Sequence, residues 1–384
     1  MTKNIEYTGF EVGPIRPPSE AESLLIRVTR NCPWNKCRFC GLYKGKSFSV
    51  RPKEHVIKDI DLVKECVDTI NDYKESMTDD RDRKMSEFTD KLGESGMWAY
   101  QSALMWMRSG MKSVFIQDAN SMVIKADDMV EILNYLRAVF PDIERITTYA
   151  RSHTIARMNE DDLKRIAEAG LNRIHIGMES GCDKVLELVE KGVVKEQHVT
   201  AGQKVMRSGI ELSEYYMPGL GGLEYLEENA IESADALNQI NPDFIRIRTL
   251  AVPEKTLLHE DYENGVFKRT TDVDMVRELL IFIRNLEGIT STVKSDHILN
   301  LVTEVEGKLP EDKEKMVEAL EKFLSFSKED QMIYRIGRRM GIMNRLFHVE
   351  NESKRKRIME VIEKNNINLG NIDAVTDSLI KRFI

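Results

Sequence analysis

The 384-residue sequence predicts an α/β fold, in which parallel strands alternate with helices and a helical module follows. Two patterns predict it. Short β-branched runs alternate regularly with helically spaced apolar residues up to about residue 249, and beyond about residue 269 the strand signals stop. A third observation orients the array: the polar, glycine- and proline-rich segments fall after the strand runs, where loops converge in parallel α/β folds.

Residues 1–22, with Pro14, Pro17 and Pro18, read as an irregular N-terminal lead-in. SLLIRVT (23–29) is an apolar run suited to a first buried strand. Val56, Ile60, Val63, Val67 and Ile70 then recur at helical spacing over 53–71. Residues 74–110 read as an inserted helical excursion, charged at first and closed by a Trp- and Met-rich helix. Strands follow at 114–117, 145–149, 172–176, 210–216 and 243–249, with helices at 127–139, 160–169, 183–191, 195–208 and 224–240 between them. Such alternation implies βαβ units and a parallel sheet. The domain reading is a lead-in over 1–22, a partly open barrel over 23–268 and a helical C-terminal module over 269–384.

Composition narrows the class. The chain is 41% hydrophobic and 31% charged, as in a globular protein with a large core. No apolar run approaches the roughly 18 residues of a membrane span, and the opening residues lack a signal-peptide pattern, so the expected location is cytoplasmic. A net charge of −8 disfavours sequence-independent nucleic-acid binding.

Three of the five cysteines lie within TRNCPWNKCRFCGLYKG (29–45), directly after the first strand. Thiols so placed can hold zinc, hold an iron–sulfur cluster, pair as a disulfide or fill a core. Reduced cytosolic thiols disfavour the disulfide. A structural zinc site normally closes with four ligands, and no second CxxC and no closely spaced histidine pair completes one here. Cys32, Cys37 and Cys40 suit a four-iron cluster with one iron left open.

This loop, with Phe39 before its last cysteine, resembles the cluster loop of the radical S-adenosylmethionine (radical SAM) superfamily. RIHIGMESGCDKVLELVEKGV (173–193) resembles the Elp3, MiaB and NifB-like members and the anaerobic coproporphyrinogen oxidases. The resemblance covers roughly residues 20–255; the spacing is C-x4-C-x2-C where the superfamily usually has C-x3-C-x2-C. It implies a partial (β/α)6 TIM-type barrel, a [4Fe–4S] cluster on Cys32, Cys37 and Cys40, and S-adenosylmethionine (SAM) as cofactor. It implies an oxygen-sensitive enzyme, an electron donor such as flavodoxin or ferredoxin, and a small-molecule or peptide substrate, with nucleic acid less favoured.

The resemblance also nominates SAM contacts, several with a plainer alternative. Phe39 flanks the cluster. Gln117, Asp118 and Asn120 stand where the family binds the SAM amino group, or form an Asx turn. Arg151 and Ser152 follow the third strand as ribose or carboxylate contacts, or as a surface arginine and a helix cap. Glu179 faces the SAM ribose or the substrate. Lys191 reaches the SAM carboxylate, or complements a helix C-terminus. Pro218 and Gly219 allow close backbone approach, or form an ordinary turn. Two rival functions stand beside the enzyme: a non-catalytic chaperone that binds cluster and SAM, and a zinc-binding structural protein.

Overall fold

The computed structural model describes residues 6–381. Two compact units account for the chain. The first comprises residues up to Pro33 with Gly45–Ile176 and Lys204–Glu211; the second comprises Trp34–Lys44, Gly177–Gln203 and Leu212 onward.

In the first unit β1 (Leu24–Arg27) leads into a small antiparallel pair, β2 (Thr29–Arg30) with β3 (Ser49–Val50). Then come α1 (Lys53–Glu75), α2 (Arg81–Lys91), α3 (Gly93–Arg108), β4 (Ser113–Gln117), α4 (Ala126–Val139), β5 (Arg145–Ala150), α5 (Ser152–Arg157), α6 (Glu160–Glu168) and β6 (Arg173–Glu179), whose residues from Gly177 on belong to the second unit. Parallel pairing runs β1–β4–β5–β6, with Leu24 opposite Val114, Val114 opposite Ile146 and Thr148 opposite Ile174. Leu24, Ile26, Val114, Ile116, Ile146 and Ile174 are buried, as runs covered on both faces require. The apolar stripe of α1, Val56, Ile60 and Val63, is fully buried. By contrast α2 buries nothing, because RDRKMSEFTDK offers no apolar stripe.

The second unit holds α7 (Asp183–Leu188), α8 (Lys195–Ser208), β7 (Glu211–Tyr216), α9 (Leu226–Ile240), β8 (Phe244–Ile247), α10 (Leu257–Glu263) and α11 (Asp272–Arg284). It continues with β9 (Thr292–Lys294), β10 (Gly307–Lys308), α12 (Lys313–Ser325), α13 (Lys328–Arg339), α14 (Glu352–Lys364) and α15 (Ile372–Ile380). Here β7, β8 and β9 pair in parallel and β10 closes antiparallel on β9. The expectation that no strand follows residue 269 therefore fails at β9 and β10. TVK is too short to show alternation, and its extended form comes from pairing with Phe244–Arg246. Otherwise the class is the expected one: α/β, with parallel strands alternating with helices and a mainly helical C-terminal module.

That module is fastened by a buried charge cluster. Asp272 receives Arg335 Nε at 3.1 Å and also Arg339, and all three side chains are almost fully enclosed. Both guanidiniums hold the Asp272 carboxyl below its usual range against the opposing effect of burial. No helix among the described residues is long and apolar enough to cross a membrane.

Candidate functional site

In the first unit, the polar residues at the ends of β1 and β4 are drawn into a lattice. Asn31, in a left-handed conformation at φ 67°, donates its N–H to Asp118 Oδ2 at 3.2 Å and its amide to the Ser47 carbonyl at 2.6 Å, which fixes the chain entering Cys32. Asp118 Oδ2 also receives Arg27 at 2.7 Å, while Arg30 forks onto Glu11 at 2.8 and 2.5 Å. Gln117 is committed to the lead-in: its Oε1 accepts from Gly13 N at 2.8 Å and its Nε2 donates to the Ile15 carbonyl at 2.6 Å. Asn120 donates to Thr154 Oγ1 at 2.8 Å and accepts from Arg151 N at 3.1 Å, tying β4 to the start of α5. Arg151 is the N-cap residue of α5, and Ser152 is buried in its first turn.

The second unit holds the rest of the cysteine segment. Cys40 N–H donates to the Cys37 carbonyl at 3.3 Å, so the two thiols share one tight turn. Arg38, between them, is fixed through both backbone groups: its N–H donates to Val189 O and its carbonyl accepts from Leu258 N, each at 2.9 Å. Its guanidinium forks onto Asp261 at 2.6 Å twice and reaches Glu190 at 2.9 Å, and these carboxylates raise its already high pKa. Trp34 Nε1 donates to the Glu190 carbonyl at 2.7 Å, with Lys36 above its ring at 4.9 Å. Phe39 packs on a cluster that includes Val185, Val189, Leu220 and Leu258.

Beside this turn, Lys191 Nζ lies 3.3 Å from Glu179 Oε1 and 5.6 Å from the Phe39 ring centre. Glu179 ends β6 at φ 66°, a conformation rare for a side chain of its size. Its Oε2 is buried without a hydrogen-bond partner, and Glu214 on β7 is fully buried beside the Met178 backbone, which hydrogen-bonds to it. Burial pushes the Glu214 carboxyl well above the usual carboxylate range, with the charge of Glu179 adding to it and Lys191 opposing it. Pro218 and Gly219 are internally bonded: Pro218 O accepts from Leu250 N at 3.1 Å, and Gly219 N donates to Glu278 Oε2 at 2.7 Å. Glu278 Oε1 also accepts from Tyr216 OH at 2.8 Å and Asn229 Nδ2 at 2.6 Å. Burial raises its carboxyl to about 7 in spite of those bonds.

The structure thus gathers Phe39, Glu179 and Lys191 around the Cys37–Cys40 turn, and it ties Gln117, Asp118 and Asn120 into their own hydrogen-bond lattice. Sequence reasoning missed Arg38, Trp34, Asp261, Glu214 and Glu278. A charged residue inside the buried run ELSEYY was the one available signal, and it pointed to Glu214.

The donor chemistry fits an iron–sulfur cluster. Cys32, Cys37 and Cys40 are half-buried and form no disulfide, and thiolate is the usual ligand of such clusters. Among the described residues no three His, Cys, Asp or Glu side chains stand together as a ready metal cage, so the fit is one of ligand type and loop anchoring.

No protein-family profile matches the chain. The tRNA uridine(34) acetyltransferase of Methanocaldococcus infernus is 26% identical over 111 residues, 29% of this chain and 21% of that protein. The tRNA uridine(34) acetyltransferase of Methanocaldococcus jannaschii is 22% identical over 128 residues, 33% of this chain and 24% of that protein. The matched stretch thus spans less than a quarter of either relative's length. Among solved structures, Methanocaldococcus infernus Elp3 lacking residues 1–46 has a TM-score of 0.41 at 16% identity, covering 52% of each chain. Coproporphyrinogen III oxidase (HemN) from Escherichia coli, described as a radical SAM enzyme, has a TM-score of 0.44 at 13% identity, covering 69% of this chain and 52% of that one. Both curated relatives carry the same name, tRNA uridine(34) acetyltransferase.

Proposed function

We propose that this chain holds a [4Fe–4S] cluster on Cys32, Cys37 and Cys40 and takes a hydrogen atom from a small-molecule or peptide substrate. When bound, the cluster and SAM supply the radical: one electron, passed on from a donor such as flavodoxin or ferredoxin, splits SAM into methionine and a 5′-deoxyadenosyl radical. The observation that carries this reading is the C-x4-C-x2-C segment after β1, with Arg38 pinned through backbone and side chain between its last two cysteines.

The chain's own residues then have distinct tasks. Phe39 wedges the turn into an apolar cluster and shields it from water. Lys191 offers an ammonium to a carboxylate, and Glu179 offers acceptor oxygens to hydroxyl or amine groups of SAM. We assign Gln117, Asp118, Asn120, Arg151 and Ser152 to shaping the strand ends, since Gln117, Asp118 and Asn120 already spend their side chains on neighbours. The reduced thiols suit a cytoplasmic location.

Anaerobic reconstitution with iron and sulfide tests the proposal. The wild type is expected to bind four irons per chain, by the cluster's stoichiometry, and to release 5′-deoxyadenosine from SAM with reductant. Cys37→Ala is expected to lose both. One zinc and no sulfide per chain, or SAM cleavage retained in Cys37→Ala, overturns the reading. Cluster and SAM binding without any cleavage selects the cofactor chaperone instead.

The curated matches favour a second reading, in which the substrate is a tRNA. Its mark is tRNA binding that weakens steeply with salt; the net charge of −8 weighs against it.

A further inference from the structure

We propose that the amino-terminal end of β1 holds a further binding site, for a small organic carboxylate with a short aliphatic body. The site lies wholly in the first unit and does not depend on the radical SAM reading.

A cleft of about 310 Å³ opens between the lead-in and the end of α3, at the lower end of the size range of small-ligand sites. Leu24 and Leu25, where β1 begins, form part of its wall. The end of α3 contributes Ser102, Met105, Trp106 and the C-cap residue Ser109, which share one helix face at spacings of three and four. Arg16, Arg108 and Glu22 line the same cleft and are exposed to solvent.

The way the arginines of this unit spend their donors singles the cleft out. Arg27, Arg51, Arg137 and Arg173 all donate to carboxylates or carbonyls. Arg16 and Arg108 have no hydrogen-bond or ion-pair partner among the described residues, and both line this one cleft. Helix capping does not account for Arg108. The last carbonyls of α3, from Met105 to Met107, already accept from the N–H groups of Ser109, Gly110 and Met111. Arg16 leaves a fixed backbone: the Ile15 carbonyl accepts from Gln117 Nε2 at 2.6 Å, and the Pro17 carbonyl accepts from Glu20 N at 2.9 Å.

Charge and shape set the ligand class. Two guanidiniums against the Glu22 carboxylate leave the cleft one net positive charge. A planar guanidinium matches a carboxylate through two parallel hydrogen bonds. Met105 is 59% exposed and offers apolar surface to an aliphatic body.

Thermal melts of the reconstituted full-length protein at matched ionic strength test this, with sodium butyrate, sodium phosphate, n-butanol and n-butylammonium chloride as probes. Butyrate is expected to give a saturable rise in melting temperature, larger than that from phosphate, and the alcohol and the ammonium none. Arg16→Gln and Arg108→Gln change exposed, unpaired side chains, so both are expected to fold. Each is expected to weaken butyrate binding about tenfold, as loss of one charge-assisted hydrogen bond implies. Glu22→Gln, which removes the opposing charge, is expected to tighten it. Iron and sulfide content is expected to stay at the wild-type level in all three variants. Equal shifts from butyrate and butanol, a phosphate shift as large as that of butyrate, or undiminished butyrate binding in the double variant Arg16→Gln/Arg108→Gln overturns the proposal.

Discussion

The strand ends of the first unit and those of the second carry similar side chains and use them differently. At the ends of β1 and β4, Asp118 is paired with Arg27, Gln117 clamps the lead-in at Gly13 and Ile15, and Asn120 bridges to Thr154. At the end of β6, Glu179 keeps its buried Oε2 without a hydrogen-bond partner, and Glu214, inside β7, is fully buried with no side-chain hydrogen bond. Gln117 and Glu179 share a position at the carboxyl end of a parallel strand. What separates a structural lock from a ligand site is whether its hydrogen-bonding capacity is spent. The first unit should therefore answer mutation mainly with lost stability, and the second mainly with lost chemistry.

The largest expected effect tests the first half of that contrast. Arg51 and Asp59 are both fully enclosed, 2.5 Å apart, and Arg51 also donates to the Arg27 carbonyl at 2.8 Å while Tyr7 OH donates to Asp59 at 2.8 Å. Arg51→Met leaves Asp59 as a buried charge without its cation, which typically costs about 3–5 kcal/mol. Urea denaturation should show that loss. Iron content per folded chain should stay at the wild-type level, and a fall in loading at full foldedness would erase the contrast.

A smaller effect, readable by pH, comes from Glu278. Its folded carboxyl titrates near 7, well above its unfolded value. Between those values the folded state holds a proton that the unfolded state has released, so stability falls as pH rises and levels off above about 7. The span corresponds to roughly 3 kcal/mol. Melts across pH 5 to 8, a range of about three units around that value, should show a decline in the wild type that is absent in Glu278→Gln. An identical profile in both would mean that Glu278 does not carry this proton.

Much of this was readable from residue order. Strands such as Ser113–Gln117 and Arg173–Glu179 announced themselves because burial on both faces forces continuous apolar runs. The cysteine spacing announced the loop because few chemistries use three adjacent thiols. Residue type did not reveal how each hydrogen bond is spent. Gln117 looked like a cofactor contact, yet its amide is held by Gly13, 104 positions away. Arg38 sat unnoticed between two cysteines because its partner Asp261 is 223 positions distant. Glu214 and Glu278 differ only in their surroundings, and β9 exists only through its neighbour β8. Long-range pairing of this kind leaves no periodic trace in sequence.

The smallest stability effect is expected at Gly192, and it tests the second half of the contrast most sharply. Gly192 has φ +70°, and a Cβ there would stand 2.2 Å from Cζ2 of Trp34. Alanine costs about 1–2 kcal/mol for the left-handed backbone, and it must also push the indole aside. Trp34 is anchored by its bond to the Glu190 carbonyl, and Glu190 in turn receives Arg38, so displacement of the ring reaches the turn that carries Cys37 and Cys40. Gly192→Ala should therefore unfold only slightly more easily than the wild type while retaining clearly less iron and sulfide after reconstitution. The disproportion is the prediction. A loss of cluster no larger than the loss of folded protein would show that the Trp34–Glu190–Arg38 chain does not position the turn.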